Sequence, residues 1–202
     1  LESMKIDEDK VDFFEMDSKP GGIGQGTFGV VHRVKFERNI VAAKVINLRN
    51  IHPTKIESIK KVFNKEVALM TPLRSQNIVQ ILGAIIRRAE LVIVMELCPG
   101  GSLRNVLDSL AEPWPLYDQN NALLDIGIGM EYLHSREIIH RDLKSLNVLI
   151  DEKGRCKVSD FGQSKSSTLS TSMTMTGGGA GTGTVAWNAP EVMMRKPASF
   201  QA

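Results

Sequence analysis

The chain has 202 residues, of which 42% are hydrophobic, and its formal net charge is +2. This hydrophobic content supports a packed core and argues against disorder, while the near-neutral charge argues against a dedicated nucleic-acid binder. The longest apolar runs, such as residues 81–86, have strand length and fall short of the roughly 18 residues of a membrane span. The two cysteines, Cys98 and Cys156, lie far apart and fit a reduced, cytoplasmic protein better than a disulfide scaffold.

The N-terminal part of the chain has the pattern of a strand-rich unit. Residues 1–19 are acidic and indicate a linker or a leading strand. A glycine-rich turn at 21–29 follows, with β-type runs at 30–34 and 40–46, so two strands around a turn are expected.

One helix and two more strands are predicted before residue 97. The helix covers 55–70, and the strands cover 78–86 and 91–96. One helical face carries four residues at spacings of 4, 3 and 4: Ile59, Phe63, Glu66 and Met70.

Beyond the Pro99-Gly100-Gly101 break, the pattern becomes helical. Ser102 is a plausible N-cap for a first helix. The face predicted for this helix consists of Leu103, Val106, Leu107 and Leu110. A second helix is predicted at 118–135, with its face formed by Leu123, Ile126, Met130 and Leu133. Two short strands at 147–150 and 156–159 bracket a turn, and a Ser/Thr-rich stretch at 164–176 has the composition of a loop.

The glycine-rich turn contains the pattern GxGxxGxV at residues 24–31. Glycines let a backbone approach phosphate oxygens, and the amides can donate to them. Taken alone the pattern is weak, because a Rossmann loop shares the spacing. A Rossmann loop leads into a helix, whereas strand-like residues flank this turn, which favours a hairpin that folds over a nucleotide.

Lys44 lies fifteen residues after Gly29 and is the only charge between Arg38 and Arg49. A lysine on an apolar strand is usually an edge residue with its amine in water. A buried ammonium instead needs an anionic partner, and Glu66, on the apolar face of its helix, is the candidate. The alternative is that the lysines around Glu66 make this a charged surface helix.

The most specific motif is HRDLKSLN at residues 140–147. Asp-Phe-Gly follows at 160–162 and Ala-Pro-Glu at 189–191. In this order and spacing, these strings identify the chain as a member of the protein-kinase family, and the resemblance covers roughly residues 20–197.

The resemblance implies an α+β, bilobal fold with a β-rich N-lobe carrying one main helix and a mainly helical C-lobe. The lobes would be residues 20–95 and 99–202, joined by a hinge at 96–98, with an activation segment at 160–191. It also implies ATP and Mg²⁺ as cofactors. The residues that would surround the nucleotide are Ile23, Gly24, Gly26, Gly29, Val31, Ala42, Lys44, Met95 as gatekeeper, the hinge Glu96-Leu97-Cys98, and Leu149.

The resemblance gives the catalytic residues their roles. Lys44 would hold the α- and β-phosphates and pair with Glu66. Asp160 and Asn147 would bind Mg²⁺ ions, Asp142 would accept the proton of the substrate hydroxyl, and Lys144 would steady the transferring phosphoryl group. The family's hydrophobic column would consist of Met70, Ile81, Phe161 and His140, which ordinary core packing would also explain.

Lys144, two residues after Asp142, and Thr184 resemble serine/threonine kinases. The string from Gly183 to Val192 resembles their tyrosine-kinase-like branch, which includes mixed-lineage and Raf-type enzymes. The expected partner is a protein substrate with a Ser or Thr acceptor. Arg141 before the catalytic aspartate suggests activation by phosphate in residues 164–184, added by an upstream kinase or by autophosphorylation.

The chain departs from the family at Gln163 and Asn188, where modest effects on the activation segment are expected. It also ends eleven residues after Glu191, whereas a whole kinase continues through more helices. One of these holds the backbone of the 140–147 loop, and another supplies an arginine partner for Glu191. We therefore expect these 202 residues alone to be poorly stable or inactive, and the helix at 118–135 to expose core surface.

Two alternatives remain at this stage. One is a binding or scaffold module of kinase fold that truncation has made catalytically silent. The other is a small-molecule phosphotransferase of related fold, although such enzymes usually lack the APE segment and the GxGxxGxV loop. Transfer to a generic protein substrate, compared with the Asp142→Asn variant, separates an active protein kinase from the silent module.

Overall fold

A computed structural model of the chain describes residues 4–14, 22–26, 29–49, 51–160, 165–166, 187 and 189–194. The chain divides into two units, residues 1–99 and 100–202. Within the described ranges, no helix is both long and apolar enough to cross a membrane.

The first unit is a curled antiparallel sheet with one long helix. Its elements are β1 (Val11–Asp12), β2 (Gly24–Gly26), β3 (Gly29–Phe36), β4 (Asn39–Asn47), α1 (Pro53–Met70), β5 (Ile81–Ile86) and β6 (Glu90–Met95). The strand order is β1-β3-β4-β6-β5, with β2 also paired to β3. Gly26 pairs with Gly29 and Gly24 with Val31, so the predicted hairpin at the glycine-rich turn is confirmed.

Residues 4–14, here named the N-terminal strap, connect the two edges of this sheet. The Ile6 amide donates to the Ala84 carbonyl of β5 at 2.9 Å, and Val11 pairs with Phe36 of β3. Because β5 and β3–β1 lie at opposite ends of the strand order, the strap crosses one face of the sheet. The strap therefore adds to the core as well as leading into the first strand.

The apolar side chains of the strap complete a hydrophobic cluster on that face. Ile6 and Val11 are both buried in it. The sheet contributes Val34, Val41, Ala43, Val45, Ile85, Val92 and Val94, and the half-buried Phe13 and Phe36 pack against them. The strap, whose sequence shows no helical or strand periodicity, therefore covers this face of the sheet.

Arg87, at the turn between β5 and β6, bonds the strap to the hairpin that these two strands form. Its guanidinium forms ion pairs with Glu8 at 2.8 Å and Glu90 at 3.0 Å. It also lies over the Phe13 ring, 4.4 Å from the ring centroid. Partly exposed pairs of this kind stabilise modestly, so the buried apolar contacts dominate the attachment of the strap.

Helix α1 starts two residues before the predicted bound because Pro53 occupies its first turn, where a missing N–H costs nothing. His52 caps it, its Nδ1 accepting from the Thr54 amide. Phe63 and Met70 of the predicted face are buried, as is Val67, while Ile59 and Glu66 of that face are half-buried.

The second unit contains α2 (Leu103–Ser109), α3 (Leu116–Ser135), β7 (Ile138–Ile139), β8 (Val148–Ile150), β9 (Cys156–Val158), β10 (Lys165–Ser166) and α4 (Pro190–Met193). The predicted N-cap is confirmed, since Ser102 Oγ accepts from the Asn105 amide at 3.2 Å. The predicted face of α2 is wrong at its end. Leu107 is exposed, and Leu110 is extended because the helix stops at Ser109.

The predicted face of helix α3 is confirmed at Leu133, which is buried, and at Ile126, which packs against the core, but it is wrong at its start. Ala122 and Gly129 are the other buried residues of the helix. Leu123, predicted to face the core, is 67% exposed. The exposed apolar residues of α3 are Leu116, Tyr117, Leu123, Leu124 and Ile128, which confirms that this helix presents core-like surface.

The turn after α3 holds Glu137 in a left-handed conformation with φ 59°. This conformation costs a non-glycine residue about 1 kcal/mol, and a carboxylate at a helix C-terminus opposes the helix dipole. We expect Glu137→Gly to raise the free energy of unfolding by about 1 kcal/mol, measured by urea denaturation. Glu131→Gly, at an exposed position inside α3, is the matched control and should destabilise by about 1 kcal/mol instead.

Asp151 organises the turn between β8 and β9. Its Oδ1 accepts from the Lys153 and Arg155 amides at 2.8 and 3.0 Å, and its Oδ2 pairs with the Arg155 guanidinium at 2.8 Å. Burial raises the pKa of this carboxyl, but the bonds from Arg155 and Lys153 outweigh it, so the pKa lies below its ordinary value.

This depressed pKa predicts a pH-dependent contribution to stability. The Asp151 contribution is present above the unfolded-state pKa and is lost as pH falls through the lower folded-state value. We expect Asp151→Asn to be less stable than the wild type at pH 7, and the difference to shrink as the pH falls below the ordinary pKa of an aspartate. Urea denaturation at several pH values measures it; a difference constant with pH would contradict the prediction.

Candidate active site

The loop at residues 140–147 brings three predicted catalytic side chains together. Asp142 Oδ2 lies 2.8 Å from Lys144 Nζ and accepts from Asn147 Nδ2 at 3.0 Å. Asn147 Nδ2 also donates to the Asp142 carbonyl at 2.8 Å. The Asp142 and Lys144 side chains are only 10% and 14% exposed. A carboxylate is thus held between an ammonium and an amide in a largely shielded position.

His140 fixes the start of this loop. It is 1% exposed; its Nε2 donates to the Ser159 carbonyl at 2.9 Å, and its Nδ1 accepts from the Asp142 amide at 3.2 Å. Burial lowers the pKa of His140, against the opposing effect of the Ser159 bond. The neutral ring therefore supplies one donor and one acceptor, beyond the packing role predicted for it.

Ser159 is a site residue that the sequence reasoning missed. Its amide and its hydroxyl both donate to the Asn147 carbonyl, at 2.8 and 3.0 Å. Together with the His140 bond, this ties the backbone just before Asp160 to the catalytic loop. One feature of the sequence could have indicated this role: Ser159 is a polar residue that follows a short strand and directly precedes Asp160.

Two site residues, one in the 140–147 loop and one after β9, have left-handed backbones. Arg141 has φ 70° and Asp160 has φ 58°. Such strain in residues other than glycine persists where the surroundings enforce it, often at functional sites. The bonds of Ser159 to both neighbouring segments provide that enforcement next to Asp160.

Asn147 and Asp160 have the donor chemistry that Mg²⁺ prefers. Both offer side-chain oxygens, and the bonds from Asn147 Nδ2 to Asp142 fix the orientation of that amide, with Oδ1 as its acceptor atom. Mg²⁺ is commonly held by one or two protein oxygens together with phosphate oxygens and water. In the part of the chain that is described, no cluster of three His, Cys, Asp or Glu side chains could hold a metal ion.

In the first unit, the register of the sheet places four predicted nucleotide residues on one face. Val31 pairs with Lys44, and Ala42 pairs with Met95. Side chains of paired residues, and of residues two apart, lie on the same side. These four therefore lie on the face opposite Ala43 and the strap. Lys44 is 6% exposed and Glu66 of α1 is half-buried; their pairing stays a prediction.

The glycines of the turn differ in what they require. A Cβ on Gly29 would lie 2.2 Å from the Val45 carbonyl, whereas a Cβ on Gly24 would meet nothing within 4 Å. Gly29 is thus needed for contact with β4, whereas no described atom sets such a requirement at Gly24. Ile23 is exposed, and its amide donates to the Val31 carbonyl at 2.7 Å.

The predicted hinge follows β6 directly. Met95, Glu96 and Leu97 are half-buried and Cys98 is buried. Leu149, the predicted adenine contact from the second unit, lies on β8 and forms a β-bridge with Ser102. The predictions for Phe161, Gln163, Thr184 and Asn188 lie outside the described residues.

The chain belongs to the protein kinase family: the model of the protein kinase domain matches residues 18–202. Several relatives are serine/threonine kinases. The chain is 38% identical to the serine/threonine-protein kinase CTR1 of Arabidopsis thaliana, over 88% of its length and 21% of the relative. It is 36% identical to STY46 of the same plant, over 89% of the chain and 30% of the relative.

A relative from a different kingdom gives the same result. The probable serine/threonine-protein kinase drkB of Dictyostelium discoideum is 36% identical over 85% of the chain and 24% of the relative. The chain thus spans less than a third of the length of these three curated relatives. The relatives confirm the resemblance to the tyrosine-kinase-like branch.

Proposed function

We propose that this domain transfers the γ-phosphoryl group of ATP to serine or threonine hydroxyls of protein substrates in intracellular signalling. The observation that carries the proposal is the Asp142 carboxylate, held at 2.8 Å from Lys144 and 3.0 Å from Asn147. Phosphoryl transfer depends mostly on positioning and on neutralising charge, and this loop provides both.

Each residue has a distinct task in the proposed reaction. Asp142 accepts the proton of the attacking hydroxyl, and Lys144 stabilises negative charge on the transferring group. Lys44 holds the nucleotide phosphates, with Glu66 keeping its ammonium in place. The glycines of the β2–β3 turn let the backbone approach the phosphates.

Asn147 and Asp160 would hold Mg²⁺, which when bound neutralises charge on the phosphate oxygens. The protein kinase family uses ATP and Mg²⁺ generally. The role of the chain is to orient the two oxygen ligands. Asn147 is oriented by its bonds to Asp142, and Asp160 by the bonds of Ser159 to Asn147.

Serine/threonine selectivity rests on Lys144 and on the printed names of the relatives. Incubating the full chain with Mg-ATP and a generic protein substrate, followed by phosphoamino acid analysis, tests it. Phosphoserine and phosphothreonine are expected. Phosphotyrosine as the main product, with transfer abolished by Asp142→Asn, would contradict the selectivity and leave the kinase assignment standing.

We also propose regulation by phosphate in residues 164–184, most of which lie outside the described residues. Arg141, whose side chain is exposed, is the predicted partner for that phosphate, supplied by an upstream kinase or by the domain itself. Mass spectrometry of an active sample tests this. Full activity with an unphosphorylated 164–184 segment would exclude it.

A further inference from the structure

Glu96, the first residue of the predicted hinge, is bonded to Gln80 through both its main chain and its side chain. The Glu96 amide donates to the Gln80 carbonyl at 2.9 Å. In return, the Gln80 amide donates to Glu96 Oε1 at 2.6 Å. One peptide at the end of β6 is therefore held at two points against the segment before β5.

The second of these bonds is unusual for its place in the sheet. In an antiparallel ladder, two residues of a hydrogen-bonded pair exchange main-chain N–H and C=O groups. Here the single N–H of Gln80 is committed to the carboxylate. Such charge-assisted bonds are shorter and stronger than neutral ones. The Glu96 side chain therefore replaces a main-chain carbonyl as the acceptor at this end of the ladder.

The neighbouring pairing explains why a side chain is needed there. Ile81 pairs with Met95, and the next pair is Gly83 with Val94, so β5 contains a bulge at this point. The Gln80 side chain also donates to the Ile81 carbonyl, at 2.7 Å. A bulge disrupts the ladder hydrogen bonds on either side of it. The bond from the Gln80 amide to the Glu96 carboxylate adds a hydrogen bond at the end of this disrupted ladder.

We infer that the Glu96 carboxylate is a positioning residue for nucleotide selection. By clamping to Gln80, it sets the orientation of the hinge main chain that would accept the 6-amino group of adenine. The inference rests on the proposed function, since it assigns the source of adenine selectivity at the same site.

The test compares ATP with purine riboside triphosphate, which lacks only the 6-amino group. We expect the wild type to prefer ATP by about tenfold in kcat/KM, the factor that one hydrogen bond gives. Glu96→Ala should reduce this preference to about twofold or less, through the KM for ATP, with kcat within about threefold. Glu96→Gln, which keeps an oxygen acceptor for Gln80, should restore most of it.

The ratio of kcat/KM for ATP to kcat/KM for purine riboside triphosphate is measured within each variant. Partial unfolding of Glu96→Ala therefore lowers both kcat/KM values and leaves their ratio unchanged. Glu90→Ala is the matched control, because Glu90 lies at the other end of β6, the strand that precedes Glu96, and pairs with Arg87. It should keep the wild-type ratio. A Glu96→Ala variant with the wild-type preference overturns the inference.

Failure of the inference and failure of the proposed function give different results. A wild-type chain that phosphorylates protein equally well with both nucleotides overturns the inference alone. A full-length protein that contains this domain and that neither binds Mg-ATP nor transfers phosphate overturns the proposed function, and the inference with it.

Discussion

Replacing Asp142 by asparagine is expected to lower kcat about a thousandfold, within the 10²–10⁴ range of a general base. The asparagine amide cannot accept the proton of the attacking hydroxyl. It also removes the charge that holds Lys144 at 2.8 Å. The KM for ATP should change by no more than about threefold, because the predicted nucleotide contacts lie elsewhere.

Steady-state kinetics with a protein substrate measure this change. Asp108→Asn is the matched control, since Asp108 is an exposed acid of α2 that pairs with Arg104, and it should retain full activity. An Asp142→Asn variant with wild-type kcat would remove the proposed base from the mechanism. If both variants lost kcat and their melting temperatures fell by the same amount, the result would indicate damage to the fold.

The double substitution Ile6→Ala and Val11→Ala should lower the free energy of unfolding by about 3–6 kcal/mol, because both side chains are buried and leave cavities. Domains of this size have about 5–15 kcal/mol in total, so most of the stability would be lost. Urea denaturation followed by circular dichroism measures the change.

The control for the strap changes two of its exposed residues, Asp9→Ala and Lys10→Ala. These side chains are exposed, so the variant should lie within about 1 kcal/mol of the wild type. Equal stability of both double variants would show that the strap adds nothing to the core.

The residues of the 140–147 loop could be named from the sequence because the motif resembles that of protein kinases. Asp142, Lys144 and Asn147 lie within six consecutive residues, and the structure shows the bonds among them. The hairpin at the glycine-rich turn could be predicted because its strands are adjacent in the chain. The pairing of β4 with β6 could not, because α1 and β5 lie between them in the sequence.

The strap could not be predicted because its contacts are long-range and its pattern is irregular. Ile6 and Val11 are five positions apart among acidic residues, and their partners on β4 and β6 are far along the chain. Periodicity also misplaced one position of α3. The prediction placed the large Leu123 towards the core, whereas the small neighbour Ala122 is the buried residue. Asp125 of the same helix accepts from the Cys156 amide of β9 at 2.9 Å.

The surroundings of the two cysteines have a consequence for chemical labelling. Burial, with smaller effects from the Asp125 and Asp151 carboxylates, raises the pKa of the Cys156 thiol to about 11. Only about one molecule in ten thousand then carries the reactive thiolate at neutral pH, and Cys98 is also buried. A single cysteine introduced at exposed Ser135 should therefore take up a fluorescent maleimide far ahead of both native thiols, giving a site-specific reporter in an otherwise unaltered chain.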